Sequence, residues 1–504
     1  MNRQQKLYAN MSMAIGNQIV VLICGFVLPR LILVYYGSNT NGLVSSITQF
    51  LNLISFLELG VGVVVQSALY KPLAENDNQL ISEIISSANK FFRRVAVLLL
   101  FYVIGLTIIY PLFVNNSFDF GFTASLIVVM SISSFAQYYF GITNQLLLNA
   151  DQKSYVQLAT QAGTLILNTC VCTILMINGA SIQFVKLSTS LIFLLRPLIL
   201  SIYVKKNYNI NKKISLTYEP IQQKWNGLAQ HIAYIVLINS PMVILTLFSD
   251  LKNVSIYTVY NLVANGLNQL IMSIRTGVPA MFGNMIANGE MQELKSAFKK
   301  FEWSIHTLVV FVFTLCGILI LPFVKIYTAG IHDADYQVPV FAYIFTLAQA
   351  SYCLRIPYNM IVMAAGHYKQ TQSSAIIEAT INIVISVVLV RKFGLVGVAI
   401  GTLVAMLYRS GYFAIYISRN IIFHKLSIFL KHIAIDILSV LIMIMACSWI
   451  HLSSVSYIAW IIMALKAGVI CGIITVLVNY IFYRNYVIET IATLTRKGRR
   501  NKVK

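Results

Sequence analysis

Apolar runs longer than 18 residues recur from one end of this chain to the other, and nothing else about the sequence limits its folding so tightly. A run of that length crosses a bilayer as a helix, whereas a transmembrane strand needs only about ten residues of alternating polarity. Cutting the chain where polar or charged clusters interrupt gives fourteen spans: 11–36, 43–70, 95–115, 122–149, 155–178, 182–204, 229–249, 254–287, 304–327, 336–366, 372–390, 394–418, 428–450 and 455–483. The composition agrees: 58% hydrophobic and 11% charged residues, with mean hydropathy +0.76, lie far from the roughly 25% charged residues of soluble domains. Soluble, disordered, collagenous and disulfide-stapled classes are therefore excluded, and the fold class expected is all-α, a polytopic membrane bundle. The seven cysteines sit in or beside apolar runs without a CxxC pair and read as small hydrophobes, so neither redox chemistry nor a metal is indicated. Residues 11–36 form a full span rather than a signal peptide's short apolar core.

The net charge of +21 would suggest nucleic acid in a soluble protein, but here the position of the bases gives it another meaning. With the N-terminus inside, the inner loops hold 26 Lys and Arg and the outer loops only Lys252, Arg391 and Lys392. That asymmetry obeys the positive-inside rule, requires an even number of spans, and places both termini in the cytoplasm. The surplus of bases then serves topology and attraction to anionic membrane lipids, with no nucleic-acid partner implied.

The chain also repeats its plan. Gln145-Leu-Leu-Leu-Asn-Ala-Asp-Gln-Lys153 and Asn359-Met-Ile-Val-Met-Ala-Ala-Gly-His-Tyr-Lys369 each open a pair of helices, and the Pro29 helix with the basic loop after residue 71 matches the Pro241 helix with the loop 288–303. Six spans per repeat make the halves parallel, as in transporters whose substrate path lies between two lobes. The expected organisation is an N-lobe (1–210, helices 1–6), a cytoplasmic linker (211–228), a C-lobe (229–420, helices 7–12), and 421–504 as helices 13 and 14 with a basic cytoplasmic tail.

Charges inside the spans are the candidate functional residues, because each costs about 2.5–3.5 kcal/mol when it faces lipid. Glu58, Arg275 and Arg355 fall near the middle of their helices and Arg30 somewhat toward the outside, while Lys186, Lys325, Arg409 and Asp436 lie near enough to an interface to snorkel. Arg30, Arg196, Arg275, Arg355 and Arg409 are the candidate substrate-binding bases. Guanidinium suits phosphate, since its planar fork binds two oxygens and stays charged. Arg30 and Glu58 have an alternative reading as a structural ion pair, and Arg275 and Arg355 lack an obvious acidic partner apart from Glu378. Asn261, Asn265, Asn268 and Gln269 follow helical spacing on one face. They serve either as interhelical glue or as a hydrogen-bonding wall for sugar hydroxyls, with Asn265 and Gln269 the named candidates. Glu58 and, second, Glu378 are the candidate ion-coupling carboxylates. No nucleophile constellation, P-loop or dinucleotide turn appears, and His231 and His306 stand unpaired by spacing, so an enzyme and any cofactor are not expected.

Fourteen helices with a repeated six-helix half, the loop Tyr70-Lys-Pro-Leu-Ala-Glu-Asn-Asp-Asn-Gln-Leu-Ile-Ser-Glu-Ile84, Leu57-Glu-Leu-Gly60 and Ala150-Asp-Gln-Lys153 resemble the multidrug/oligosaccharidyl-lipid/polysaccharide exporter superfamily, and within it the Wzx-type polysaccharide biosynthesis proteins. The resemblance spans essentially the whole chain through diffuse motifs. It implies a transporter of the bacterial cytoplasmic membrane that flips undecaprenyl-pyrophosphate-linked oligosaccharide repeat units by alternating access, with proton or sodium movement as the candidate driving force. It further implies a polysaccharide polymerase and glycosyltransferases as partners. A lipid II flippase and a drug/cation antiporter share the architecture and remain alternatives, as does a scaffold protein of an envelope complex. The surplus of Arg over acid fits an anionic headgroup better than a cationic drug.

Overall fold

The computed structural model describes residues 3–58, 61–114, 117–211, 228–273, 278–423 and 426–489, and among them every regular element is helical. In the first half these are α1 (Arg3–Asn52), α2 (Val61–Glu75), α3 (Asn78–Val114), α4 (Phe120–Ala136), α5 (Ile142–Ala150), α6 (Ser154–Ile177) and α7 (Ile182–Asn207). The second half contributes α8 (Leu228–Phe248), α9 (Leu251–Ser273), α10 (Val278–Ala287), α11 (Met291–Tyr327), α12 (Pro339–Leu354), α13 (Ile356–Ala364) and α14 (Tyr368–Asn420). The chain closes with α15 (Leu426–Cys447) and α16 (Tyr457–Phe482).

Helices and membrane passes do not coincide one to one. Gly37, with φ 80°, turns α1 back on itself, and Gly394, with φ 51°, does the same in α14, so each of those elements supplies two passes. A residue with a Cβ is strained at such a φ, which explains why glycine stands at both reversals. Conversely, one pass is built from α4, a π-helical turn at Gln137–Gly141 and α5, another from α9 and α10, and a third from α12 and α13. Pro357 accounts for the last break, because it lacks an N–H and suits the first turn of a new helix. With the second limb of α1 and α2 also counted as one pass, the described helices make fourteen passes, and of the expected span 254–287 residues 274–277 lie outside the described residues.

The backbone punctuates itself twice in the same way. Positive-φ residues Asn76, Gln152 and Gly179 recur as Gly289, Gly366 and Gly394, each pair about 214 residues apart, the spacing of a parallel structural repeat. Large apolar side chains point outward along entire helices, with Ile458, Leu465, Val469, Val476 and Ile481 of α16 all more than 60% exposed. A soluble protein would hide such a surface, and lipid is the solvent that suits it.

Two compact units result, Met1–Thr258 with Gly330–Ala334, and Val259–Ala329 with Asp335–Lys504. Grouping by contact thus keeps α8 and the start of α9 with the first unit, whereas the sequence repeat begins its second copy near residue 229. Of the expected linker 211–228, residues 212–227 lie outside the described residues.

Inside the first unit the second limb of α1 meets α8 and α9 through polar side chains. Tyr110 donates to Ser46 at 2.7 Å, Ser46 lies 2.7 Å from Thr246, and Thr246 donates to the Met242 carbonyl at 2.8 Å. Asn41 donates to Ser255 at 2.7 Å, and a Cβ on Gly42 would stand 1.9 Å from the Leu251 carbonyl oxygen, so only glycine permits this approach. Asp333 caps the new limb after Gly37, accepting from the Ser38 amide at 2.7 Å and the Ser38 hydroxyl at 2.6 Å. At the basic end of the unit, Asp151 accepts from Lys6 at 3.0 Å, pairs with Lys153 at 2.7 Å, and accepts from Tyr208. Partial burial opposes ionisation of Asp151, but the hydrogen bonds from Lys153, Tyr208 and Lys6 outweigh it and hold the carboxyl below its usual range. Burial and the adjacent carboxylate push the Tyr208 phenol up. The Ala150-Asp-Gln-Lys153 motif is therefore a clasp joining three passes.

In the second unit the core gathers Phe282, Phe298, Phe313, Tyr358 and Phe413, and α15 and α16 seal against α11 through Val310, Met443, Met463 and Cys471.

Candidate functional site

Three buried polar assemblies stand out, one in the first unit and two in the second. The break between α12 and α13 delivers Arg355 into the interior, 8% exposed, where it donates to Glu378 on the first limb of α14. Arg409, on the second limb, reaches the other carboxylate oxygen of Glu378 at 3.8 Å and donates to the Thr371 carbonyl at 3.1 Å and to Ser374. Each guanidinium also lies over an aromatic ring, Arg355 over Tyr352 at 4.4 Å and Arg409 over Phe413 at 4.3 Å. Two guanidiniums share one carboxylate, so the cluster retains an excess positive charge away from water. Such a charge invites an anion, and the aromatic faces offset part of its cost meanwhile.

This arrangement bears on two sequence expectations. Glu378, the one candidate partner named for Arg355 and expected nearer the cytoplasmic face, does pair with it. Arg409, expected to snorkel to an interface, is 4% exposed and paired in the interior, because Glu378 and the α14 carbonyl give its charge a local partner.

In the first unit Arg196 on α7 donates through Nε to Thr164 on α6 at 2.7 Å and stacks at 3.9 Å on Phe193, while its buried Nη2 has no hydrogen-bond partner among the described residues. Arg30 follows Pro29 within α1 and is half-buried. Glu58 ends a 3-10 turn, Leu53–Glu58, with its side chain outside what is described, and Arg275 lies outside the described residues altogether. The structure brings together Arg355, Glu378 and Arg409 and keeps Arg196 in another unit.

The polar stripe of α9 divides. Asn268 donates to Gln349 at 2.8 Å and accepts from Cys353 at 3.1 Å, so it joins α9 to α12, whereas Asn265 and Gln269 stay on the exposed side. Asn268 thus lies at the edge of the stripe that packs against α12, with Asn265 and Gln269 on its exposed flank.

The third assembly was invisible to span counting. Tyr358 donates to Glu302, itself 1% exposed, whose second oxygen lies 3.8 Å from His432 and has no hydrogen-bond partner among the described residues. His306, one helical turn after Glu302, meets Asp436 at 2.6 Å and the Tyr358 hydroxyl at 3.5 Å, and His432, one turn before Asp436, meets Tyr483 at 2.7 Å. The His306 and His432 rings approach to 5.1 Å. Asp436, expected to snorkel, is therefore held inside by an imidazole. Glu302 escaped notice because the span was expected to begin at residue 304, whereas α11 begins at Met291. Two acid/histidine pairs at i, i+4, Glu302/His306 and His432/Asp436, were the signal available. Two carboxylates, two imidazoles and two phenols in one polar cluster can hold and redistribute a proton. Among the described residues no three His, Cys, Asp or Glu side chains converge as a metal ion would require.

Comparison with solved structures places this architecture. The chain superimposes on the lipid II flippase MurJ in an inward closed conformation with TM-score 0.69, at 15% identity, covering 95% of this chain and 99% of that one. It is also similar to the eukaryotic MATE transporter AtDTX14 (TM-score 0.56, 13% identity, 87% and 99% covered) and to an inward-facing multidrug resistance MATE family transporter of the MOP superfamily (TM-score 0.54, 14% identity, 82% and 98% covered). No family model matches the sequence, and no curated protein matches it. The fold is therefore that of polytopic helical transporters, shared by the flippase and the MATE proteins of the MOP superfamily.

Proposed function

We propose that this protein flips undecaprenyl-pyrophosphate-linked oligosaccharide repeat units across the bacterial cytoplasmic membrane by alternating access, for the synthesis of a surface polysaccharide such as O-antigen, capsule or exopolysaccharide. The observation that carries the reading is the buried Arg355–Glu378–Arg409 cluster, which keeps an excess positive charge within a flippase-like fold. A cation-exporting site needs the opposite balance. Arg30, Arg196 and Arg275 extend the candidate set, with Asn265 and Gln269 as hydrogen-bonding groups for sugar. Transport rather than catalysis is the reading, with both termini cytoplasmic and with glycosyltransferases and a polymerase as working partners. Lipid II is the second reading, favoured by the superposition on a lipid II flippase.

For proton coupling, Glu58 and Glu378 are the carboxylates proposed from sequence. The geometry favours the Glu302–His306–Asp436–His432 group over Glu378, because arginines occupy both oxygens of Glu378 whereas Glu302 lies beside His432 and shares the Tyr358 hydroxyl with His306. Complementation of a repeat-unit flippase deletion with defined lipid-linked oligosaccharides tests the function, and restored surface polysaccharide is expected. Rescue of a lipid II flippase deletion alone would move the assignment to peptidoglycan. In proteoliposomes, Glu302→Gln is expected to remove stimulation by an imposed pH gradient at normal protein abundance.

A further inference from the structure

A large groove in the first unit has no part in the clusters described so far. It encloses about 1200 Å³ between α3, the π-helical turn at Gln137–Gly141, α5 and the end of α7. That exceeds the roughly 300–1,000 Å³ of a small-molecule pocket. Four bases line it, Lys90, Arg93 and Arg94 from α3 and Lys205 from α7, and among the described residues no carboxylate pairs with any of them. Arg93 is held at 5.1 Å over the Tyr139 ring, which fixes one fork of the cationic wall.

The polarity of the groove is graded along α3. Ser82, Ser86 and Asn89, with Ile85 among them, precede the bases, Asn144 and Asn209 are contributed from the other walls beside Val204 and Ile210, and Val97, Leu98 and Phe140 follow. These last three side chains are about half exposed on a surface that faces lipid. From Ser82 to Arg94 the polar wall runs about 18 Å at 1.5 Å per residue. A single phosphate headgroup needs only a fraction of that length. The order of chemistry is hydroxyl and amide groups, then guanidinium and ammonium groups, then hydrocarbon. It matches an amphiphile whose sugars, anionic diphosphate and chain follow one another.

We propose that this groove is a docking site for a polyprenyl-diphosphate-linked oligosaccharide at the basic end of the first unit. The diphosphate would lie among Lys90, Arg93, Arg94 and Lys205, the sugars against the Ser and Asn wall, and the first isoprene units along Val97, Leu98 and Phe140. Positive-inside topology alone accounts for bases at this end of the helices, but it does not require them to share a graded cavity with amides and aromatic rings. The proposal deepens the transport reading by giving the substrate class a place of first binding, and it rests on that reading.

Native mass spectrometry of the full-length protein in detergent tests it with three probes: undecaprenyl diphosphate carrying a trisaccharide, undecaprenyl diphosphate alone, and phosphatidylglycerol. The sugar-bearing lipid is expected to bind best, and the Arg93→Ala/Arg94→Ala double variant to lose roughly tenfold in affinity for both diphosphates, as expected for charge-assisted contacts. Asn89→Ala/Asn144→Ala is expected to weaken only the sugar-bearing probe. Circular dichroism and thermal unfolding of each variant separate lost binding from lost folding, and Arg93→Lys/Arg94→Lys, which keeps the charge, should recover part of the affinity. Equal binding of phosphatidylglycerol, or unchanged diphosphate binding in the alanine variant, overturns the proposal. If the alanine variant flips and binds as the unmodified protein does, the groove fails while the transport reading stands. If the diphosphate binds the groove but no lipid-linked oligosaccharide is flipped, the transport reading fails and the site remains.

Discussion

At the scale of the residue, Glu378 is the side chain on which most depends, because it is the shared counter-charge of Arg355 and Arg409. Glu378→Gln leaves two buried guanidiniums facing each other, and the expected cost is about 3–5 kcal/mol, the price of breaking a buried pair from one side. A lowered unfolding temperature in detergent measures it. Replacing Arg355, Glu378 and Arg409 together by Met should restore protein abundance, since a buried ion network is readily replaced by apolar groups of similar size. Transport should remain lost in that triple variant if the surplus charge receives the substrate, and full transport would reduce the cluster to a structural element. Asp151 offers a pH test. Its carboxyl is held below the usual value in the folded state, so it contributes stability above the ordinary carboxylate range, and this contribution disappears as pH falls through the depressed value. Asp151→Asn is expected to lower the unfolding temperature at neutral pH and to make little difference at acid pH, where the unmodified carboxyl has also taken up a proton.

At the scale of the element, the membrane removes the usual reason for helices to associate, and close backbone approach takes its place. The second limb of α14 carries Gly397 and Gly401 one turn apart. A Cβ on Gly397 would stand 2.6 Å from the Leu389 carbonyl, and one on Gly401 would stand 2.2 Å from Ser386 Oγ. Gly401→Leu is therefore expected to separate the two limbs and to destabilise by about 1–3 kcal/mol or more. Since those limbs carry Glu378 and Arg409, the same change should weaken the charge cluster, and loss of thermal stability together with transport is the expected result. Gly401→Ala, a smaller intrusion beside a hydroxyl, should lie between.

At the scale of the whole molecule, the distribution of bases predicts an orientation that can be measured directly. Cysteine at Lys205 should react with an impermeant thiol reagent only from the cytoplasmic side, and cysteine at Lys252 only from outside, on a background with the seven native cysteines replaced. Labelling of both positions from one side would contradict α8 as a single pass between them. In the orientation that the bases predict, Lys6 and Lys90 would put the Asp151 clasp and the groove along α3 on the cytoplasmic side of the first unit.

The sequence by itself determined the solvent, the class of fold, the number of passes and the repeat, because each of these follows from local quantities: run length, charge between runs, and spacing of turns. Gly37 and Gly394 show the limit even there, since their reversals were placed as gaps between spans and only the backbone revealed continuous helix on either side. Which charges meet was decided by tertiary structure. Arg355, Glu378 and Arg409 come from separate passes, and nothing in their spacing specified that they converge. Glu302 lay in a stretch that composition alone assigned to a loop, and its burial depends on α15 and α16 closing over it with His432, Asp436 and Tyr483. The physical reason is common to both cases. Hydropathy is additive along a chain and can be summed from sequence, whereas the pairing of a buried charge depends on distances between helices that only packing sets.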